Sequence, residues 1–426
     1  MRLSFMIYFT ILCSVSASNQ RYKKCMKKLG VSSWKVVDRA SNATSYNLLN
    51  YQWNNVFDVV FPIAIFIPSS VFDVQATVKC GYDAHIQLVP NSGGHSYAGL
   101  SSGTNDSIIV DFRYMNSIDI DDDDESVTVG PGAMVGQINA KLWKKGGWGT
   151  VLGNCMTIGI GGHALGGGFG IYSTLYGLVI DNILEIKMVD AQGNAVAVNP
   201  TRNSDLWWAM RGVGPGYIGL VTSFKLKMFK AKDLKLTYIK VTYKNEDFKH
   251  VVENFVKWLD WVKRNNESVS TIISATSDNH SSGFEFAGRG VEVHLLHIQD
   301  PKIQPASSNA VLAAYKKYFT HSSQTTVQKA SYIDVLVGTS YSPKFRAKDL
   351  DDVQKVYAKI PVKSIVWLTS EQGAIAIPRS SDCAYVHRDN LFNIKTKWDP
   401  KGYFNSEQSV PTFSSEWDDL DDFFEQ

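Results

Sequence analysis

The stretch "GNCMTIGIGGHALGGGFG", Gly153 to Gly170, places Cys155 at the head of a segment rich in glycine. Glycine is used where the backbone takes unusual dihedral angles or comes very close to another group. A second glycine-rich segment, "PNSGGHSYAG" from Pro90 to Gly99, carries His95. Backbone amides in such loops can hold a pyrophosphate or lie flat against an aromatic ring system. The two segments together predict a cofactor site with a thiol and an imidazole beside it.

The composition is that of a folded protein with balanced charge. The chain has 426 residues, 44% of them hydrophobic, and a formal net charge of +2. This length predicts two or three domains, each with enough apolar residues for a buried core. The near-neutral balance and the lack of a basic run give no indication of a nucleic-acid partner.

The N-terminus, "MRLSFMIYFTILCSVSAS", has the pattern of a secretory signal. An arginine precedes a short apolar stretch, and small residues follow, which predicts cleavage after Ala17. The apolar stretch is too short to span a membrane, and a buried N-terminal strand is the lesser alternative. Four N-x-[ST] sequons are compatible with secretion, at Asn42, Asn105, Asn266 and Asn279.

Four cysteines remain after the predicted loss of Cys13 with the signal: Cys25, Cys80, Cys155 and Cys383. In a secreted protein the default expectation is two disulfides. No CxxC or Cys/His spacing indicates zinc, and no metal site is predicted.

The first half of the chain alternates helix and strand signals. A strand, a helix and a second strand that ends in a glycine loop are predicted across residues 64–96, with capping-box spacing at Ser70 and Asp73 and the helix end near Gly81. "SIIVDF" and "SVTVGPG" are rich in β-branched residues and predict two more strands. "IDIDDDDE", Ile118 to Glu125, is interpreted as a solvated turn, with a calcium site the lesser alternative because EF-hand spacing is missing.

A later segment contains a glycine pattern typical of nucleotide binding, in the wrong context. "LEIKMVDAQGNAVAVN" predicts a hairpin turning at Gly193-Asn194. "DLWWAMRGVGPGYIGLVTSF" follows, and its Gly214, Gly216 and Gly219 match G-x-G-x-x-G. A dinucleotide fingerprint needs a strand before the glycines and a helix after them, whereas the order here is helix, turn, strand. A nicotinamide enzyme is therefore disfavoured.

The character of the sequence changes near Lys230. Long glycine runs end, "FKHVVENFVKWLDWVKRN" predicts an amphipathic helix, and "GVEVHLLHIQD" and "SIVWLTSEQG" predict strands. We place a domain boundary near Lys230, with the second unit running to about Asn390. The final acidic residues, "EWDDLDDFFEQ", predict a tail with little fixed structure.

The motifs together resemble one family. "SGGHSYAGLS", "GNCMTIGIGGHALGGGFG", "DLWWAMRGVGPGYIGLVTSF", "SPKFRAK", "AYVHR" and "DPKGYFNSEQSVP" are similar to segments of the FAD-linked oxidases of the berberine bridge enzyme family. The resemblance implies an α+β fold, with a two-lobed PCMH-type FAD-binding domain and a substrate domain whose antiparallel sheet is covered by helices. Taken with the signal pattern, the boundary near Lys230 and the acidic end, this predicts a signal peptide (1–17), the FAD domain (18–230), a shortened substrate domain (231–390), a return to the FAD domain (391–411) and the tail (412–426).

The resemblance also assigns residues to FAD. Family members hold the flavin by two covalent bonds, which would join His95 to the 8α-methyl carbon and Cys155 to C6. It further implies a Cys25–Cys80 disulfide, which leaves Cys383 free. The other residues assigned to the cofactor are Ser92, Gly93, Gly94, Ser96, Gly99, Gly153, Thr157, Gly159, Gly162, His163, Gly219, Val221, Phe404 and Asn405.

Three features depart from the family pattern. Phe169 stands where plant members have an active-site tyrosine, although Tyr97 is kept. Ile158 occupies the position that gates oxygen, where valine favours oxidase behaviour. A block that usually supplies a catalytic tyrosine is missing after Arg388.

The resemblance implies a secreted flavoprotein that oxidises an alcohol or sugar hydroxyl, with Tyr97 as the catalytic base and O2 as the acceptor. We expect a monomer with a small-molecule substrate, and no membrane partner. The alternatives are an FAD-binding protein without turnover and a dehydrogenase with another acceptor.

Overall fold

The structure of the chain, a computed structural model, describes residues 17–51, 54, 58–243, 248–265, 269–276, 291–300, 308–319, 324–329 and 365–369. The helices in this part are α1 (17–28), α2 (Ala43–Leu49), α3 (Val71–Ala84), α4 (Val135–Gly146), α5 (Ile160–Leu165), α6 (Ser173–Tyr176), α7 (Ser204–Met210), α8 (Phe248–Asn265) and α9 (Ser308–Phe319). The strands are β1 (Val36–Val37), β2 (Ala64–Phe66), β3 (Leu88–Asn91), β4 (Ile108–Asp111), β5 (Ile118–Asp121), β6 (Ser126–Val129), β7 (Trp148–Gly149), β8 (Ile183–Val189), β9 (Ala195–Val198), β10 (Leu220–Lys227), β11 (Phe229–Lys230), β12 (Lys235–Tyr243), β13 (Val269–Thr276), β14 (Val291–Gln299), β15 (Gln324–Lys329) and β16 (Ile365–Thr369).

The first sheet has the order β1-β2-β4-β3, and β2, β4 and β3 run parallel. The predicted strand–helix–strand unit is confirmed as β2, α3 and β3. The Ser70 hydroxyl caps α3 by accepting the Asp73 N–H at 3.2 Å. The helix continues to Ala84, beyond the end predicted at Gly81, because the buried Gly81 lies inside it and His85 takes the left-handed conformation that ends it.

The second sheet is antiparallel, in the order β5-β6-β10-β8-β9. The predicted hairpin is confirmed by β8 and β9, whose connection includes Gly193 at φ 78°. The interpretation of residues 118–125 as a turn is wrong in its first half. Ile118 to Asp121 form β5, because Ile118 and Ile120 alternate with aspartates and Ile118 is buried. The turn itself holds Asp124, which forms an ion pair with Lys225 at 2.5 Å.

The third sheet, β15-β12-β14-β13-β16, is also antiparallel. Helices α8 and α9 pack on one of its faces through a core in which Trp258, on α8, is fully buried beside Tyr315 of α9. The helix and the two strands predicted for this part are confirmed as α8, β14 and β16. The α+β fold with a helix-covered antiparallel sheet is therefore confirmed.

The junction between the sheets lies near Lys230. Strand β11 ends there and pairs with β7, and β12 of the third sheet begins at Lys235. Tyr176, on α6, donates a hydrogen bond from its hydroxyl to the Asp300 carboxylate just after β14, at 2.7 Å. Burial, together with the Asp300 carboxylate, raises the pKa of Tyr176 well above its ordinary value, so this phenol stays a donor.

Helix α1 is tied to α3 by a disulfide between Cys25 and Cys80, the pairing that the resemblance implies. One turn away, the buried hydroxyls of Tyr22 and Thr77 share a hydrogen bond of 2.7 Å. Among the described helices, none combines the length and the apolar character needed to cross a membrane. Several predictions lie outside the described residues: the signal sequence to residue 16, Asn266, Asn279, Cys383, Phe404, Asn405, the missing block after Arg388 and the acidic tail.

Candidate functional site

The two glycine-rich segments lie directly against each other. A Cβ atom on Gly93 would be 2.9 Å from the Thr157 carbonyl oxygen and would overlap the backbone of Gly159. A Cβ atom on Gly159 would in turn overlap the Ser92 hydroxyl and the Gly93 backbone nitrogen. The glycines at these two positions therefore let one loop approach the other backbone to backbone. The loop that carries His95 therefore packs directly against the Cys155 segment.

Ser92 fastens the first loop to its neighbours. Its hydroxyl donates to the Pro131 carbonyl oxygen at 2.5 Å and accepts the Gly161 N–H at 3.3 Å. The Gly161 N–H also reaches the same carbonyl oxygen of Pro131, at 3.2 Å. Ser92 thus joins the loop after β3 to the segment before α4 and to the start of α5.

The second loop is held by main-chain hydrogen bonds. The Val135 N–H donates to the Ile158 carbonyl and the Gly136 N–H to the Met156 carbonyl, both at 2.9 Å. These bonds fix the backbone on both sides of Thr157, while the side chain of Cys155 stays partly accessible and its thiol is not in a disulfide. Cys155 is therefore both rigidly placed and open to a ligand.

Thr157 brings the two predicted nucleophiles together. Its hydroxyl oxygen lies 2.9 Å from Nε2 of His95 and 3.5 Å from Sγ of Cys155. Burial lowers the pKa of His95 below its ordinary value, so the imidazole is neutral at neutral pH. A neutral imidazole, a hydroxyl and a thiol thus form one hydrogen-bonded row.

His163 supports the same loop from the other side. Its Nε2 accepts the Gly153 N–H at 2.7 Å, so this nitrogen carries no proton. Burial lowers the pKa of His163 to about 4, which keeps the ring neutral. A Cβ atom on Gly153 would be 2.8 Å from Cε1 of His163. The ring packs on Gly153 and holds the chain two residues before Cys155.

The other predicted residues of the first loop surround His95. Gly94 takes a left-handed φ of 69°, and a Cβ atom there would meet nothing closer than Asn91 at 3.9 Å. The Ser96 hydroxyl accepts the Leu100 N–H at 3.1 Å, which places Gly99 inside a tight turn. Tyr97 is half-buried, and its carbonyl accepts a hydrogen bond from the Asn54 side chain at 2.7 Å.

Ile158 and Phe169 are both half-buried and pack against the largest apolar core.

Gly162 has room on its Cβ side, since the nearest atom is Cγ of Pro215 at 4.0 Å. Gly219 and Val221 are tightly enclosed. A Cβ atom on Gly219 would be 2.5 Å from the Val189 carbonyl oxygen, and Val221 is buried in β10. The structure thus places Gly162 at the loops and Gly219 in the seam between two strands.

Sequence reasoning missed the third glycine turn. The predicted order of helix, turn and strand around it is confirmed by α7 and β10. A Cβ atom on Gly216 would nevertheless lie 2.7 Å from Pro90, and the Gly214 N–H donates to the Leu165 carbonyl at 3.1 Å. The turn therefore packs against the end of β3 and against α5. The proline and glycines of "GVGPGY" are the available signal, because they mark a tight turn.

Within the described residues, no three His, Cys, Asp or Glu side chains are grouped so that they could hold a metal ion. The donors around the two loops are instead backbone amides, hydroxyls and neutral imidazoles. Such a set matches a planar heteroaromatic cofactor with a diphosphate, and two nucleophiles are available to bond to it. The residues present therefore fit FAD.

Comparison with known proteins agrees with this chemistry. Residues 62–199 match the family model of an FAD binding domain, and residues 388–411 match the model described as berberine and berberine like. Over these two segments the chain is similar to berberine bridge enzyme-like proteins. The matched FAD-binding segment includes His95, Cys155 and Thr157, and it indicates FAD as the cofactor.

Two curated relatives are oxidases of oligosaccharides. The protein is 33% identical over 249 residues to a xylooligosaccharide oxidase of Thermothelomyces thermophilus, a match that covers 58% of the chain and 49% of that oxidase. It is 27% identical over 392 residues to a chitooligosaccharide oxidase of Gibberella zeae, covering 85% of the chain and 73% of that oxidase. The first match thus spans about half of the relative's length.

A solved structure shows the same fold. The glucooligosaccharide oxidase of Acremonium strictum, which has a 6-S-cysteinyl, 8α-N1-histidyl FAD, superposes with a TM-score of 0.76. The alignment covers 92% of this protein and all of that chain, at 19% identity.

Proposed function

We propose that this chain is a secreted flavoprotein that holds FAD through two covalent bonds and oxidises a hydroxyl group of an alcohol or carbohydrate. The observation that carries the proposal is the hydroxyl of Thr157, which lies within hydrogen-bond reach of both His95 and Cys155. The 8-methyl group and C6 belong to the same ring of the flavin. Two nucleophiles separated by one hydroxyl suit attachment to that ring.

The proposed linkage assigns one bond to His95 and one to Cys155. Thr157 occupies Nε2 of His95, so Nδ1 is the nitrogen that we assign to the 8α carbon. The glucooligosaccharide oxidase supports this scheme, since its FAD carries one histidyl and one cysteinyl bond. Of the remaining assigned loop residues, Gly94 and Gly162 have open Cβ sides and would let the cofactor approach the backbone closely.

The proposed reaction separates a proton from a hydride. When bound, FAD would supply the acceptor of a hydride from the substrate carbon, and O2 would take up the two electrons and two protons as hydrogen peroxide. Tyr97 is the proposed base for the substrate hydroxyl, because it is half-buried two residues after His95. The half-buried Ile158, which packs against the apolar core beside the Cys155 loop, is proposed to restrict the approach of O2.

The substrate class is proposed from the relatives, which act on xylooligosaccharides and chitooligosaccharides. The third sheet, within the proposed substrate domain at 231–390, would supply the substrate side of the site. Secretion is proposed from the signal pattern and from the Cys25–Cys80 disulfide, which suits an oxidising compartment. We also propose that the protein is a monomer.

The cofactor is tested first. Purified protein should be yellow, and the flavin should stay with the polypeptide after acid precipitation. Peptides that contain His95 and Cys155 should remain joined through one FAD, with the corresponding added mass. A Cys155 peptide linked by a disulfide instead would contradict the proposed flavin bond.

The activity is tested on a panel of oligosaccharides and aromatic alcohols. Peroxide formation with one class identifies an oxidase, whereas dye reduction without peroxide identifies a dehydrogenase. A covalently flavinylated protein that does neither would contradict the proposed turnover and leave an FAD-binding protein. N-terminal sequencing of the secreted protein should begin at Ser18, and light scattering should give the mass of one chain.

A further inference from the structure

The row formed by Cys155, Thr157 and His95 suggests how the thiol becomes a nucleophile. A thiolate, not a thiol, forms the bond to carbon, and an unperturbed cysteine is only about 3% ionised at pH 7. The Sγ atom of Cys155 has the Thr157 hydroxyl as a polar partner at 3.5 Å. That hydroxyl lies 2.9 Å from Nε2 of His95, a residue 62 positions away in the sequence.

We propose that Thr157 is a positioning residue that relays the thiol proton of Cys155 to Nε2 of His95. The inference rests on the proposed covalent attachment of FAD and deepens it. The S–H and Thr157 O–H bonds break while a new O–H bond and an N–H bond form. Only protons move, so the step needs no oxidant or reductant.

The geometry favours this direction of transfer. His95 is half-buried and neutral at neutral pH, because burial lowers its pKa, so Nε2 can accept a proton. The backbone of Thr157 is held in place on both sides. The carbonyls of Met156 and Ile158 accept main-chain N–H groups from the start of α4. The thiolate that results accepts the hydroxyl proton of Thr157 as a hydrogen bond.

The assignment uses different nitrogens of His95 for its two roles. The bond to flavin is proposed at Nδ1, and the relay ends at Nε2. The relay therefore works whether or not His95 has already bonded to the cofactor. It predicts that the histidyl bond can form without Thr157 and that the cysteinyl bond depends on it.

The test replaces the hydroxyl by a methyl group of similar size. In Thr157→Val, the fraction of Cys155 peptide that carries flavin, measured by mass spectrometry of the full chain after digestion, should fall at least tenfold. The His95 peptide should stay flavinylated. Thr157→Ser restores the hydroxyl and should recover at least half of the cysteinyl bond. Thr104→Val, which removes an exposed hydroxyl elsewhere, is the matched control and should equal the wild type.

A pH profile separates a relay from a packing role. Thr157→Val protein isolated with flavin on His95 only should form the cysteinyl bond slowly in air. Its rate should approach that of the wild type as the pH is raised, because solvent hydroxide then takes the thiol proton in place of the relay. A packing role predicts a rate that stays below the wild type at every pH, because the sulfur is then misplaced.

Each outcome decides one of the two ideas. Full occupancy of Cys155 in Thr157→Val, equal loss at both peptides, or failure of Thr157→Ser to recover the bond would overturn the relay. Wild-type peptides without any flavin would instead overturn the proposed function, which this comparison therefore tests separately.

Discussion

The hydrogen bond between His163 and Gly153 makes stability depend on pH in a way that can be calculated. In the folded protein burial lowers the pKa of His163 to about 4, whereas an unfolded histidine titrates near 6.5. Between about pH 4 and pH 6.5, His163 therefore binds a proton in the unfolded state but not in the folded state. Stability is unaffected by this group above pH 6.5 and falls as the pH drops towards 4.

The size of the effect follows from the two pKa values. At pH 5 the unfolded histidine is almost fully protonated and the folded one almost fully neutral, which costs about 2 kcal/mol relative to pH 7.5. Glutamine at this position keeps an acceptor near the place of Nε2 but does not titrate. In His163→Gln, the loss of unfolding free energy between pH 7.5 and pH 5 should therefore be smaller by about 2 kcal/mol.

The assay is urea unfolding of wild type and variant at both pH values, followed by tryptophan fluorescence. The comparison cancels every other titrating group, including the buried His297, whose pKa is also lowered to about 4. An equal pH dependence in the two proteins would refute the reasoning, because it would mean that His163 is already protonated or accessible in the folded state.

Two further predictions concern close packing and the disulfide. Gly159→Ala should destabilise the protein by about 2 kcal/mol in thermal unfolding, because its Cβ atom would overlap the Ser92 hydroxyl. Gly162→Ala is the control. The nearest atom to its added Cβ would be 4.0 Å away, so this variant should change stability by less than about 1 kcal/mol. Equal effects at the two positions would contradict the packing of the loops. Replacing Cys25 and Cys80 by serine should cost about 4 kcal/mol in denaturant unfolding, since the bond closes a loop of 55 residues, and no loss would mean that the unfolded chain is not constrained there.

The sequence predicts most of the elements because their signals are local. Helix α8 has the same limits in the structure as its apolar periodicity gives, Phe248–Asn265. The cap of α3 and the β8–β9 hairpin likewise depend on a few adjacent residues. The errors are local too. The sequence predicts a helix end at Gly81, although this residue is buried within α3, and the aspartates after Ile118 obscure the alternation that forms β5.

The composition of the site, though not its arrangement, follows from the sequence. The glycine runs and the family resemblance select His95, Cys155 and Thr157 as site residues. They do not show that the hydroxyl of Thr157 lies between the other two. The order of helix, turn and strand around Gly216 argues against a nucleotide fingerprint there, and it gives no sign that this turn packs on Pro90.

What the chain determines by itself is therefore the set of secondary elements and the presence of two loops that require close approach. The tertiary structure alone decides that each loop is the other's neighbour, through Gly93 and Gly159, and that His163 accepts from Gly153. A glycine shows that space is needed beside the backbone, because a Cβ atom would not fit. Which group occupies that space depends on contacts between residues far apart in the chain. Such contacts produce no periodic pattern in the sequence.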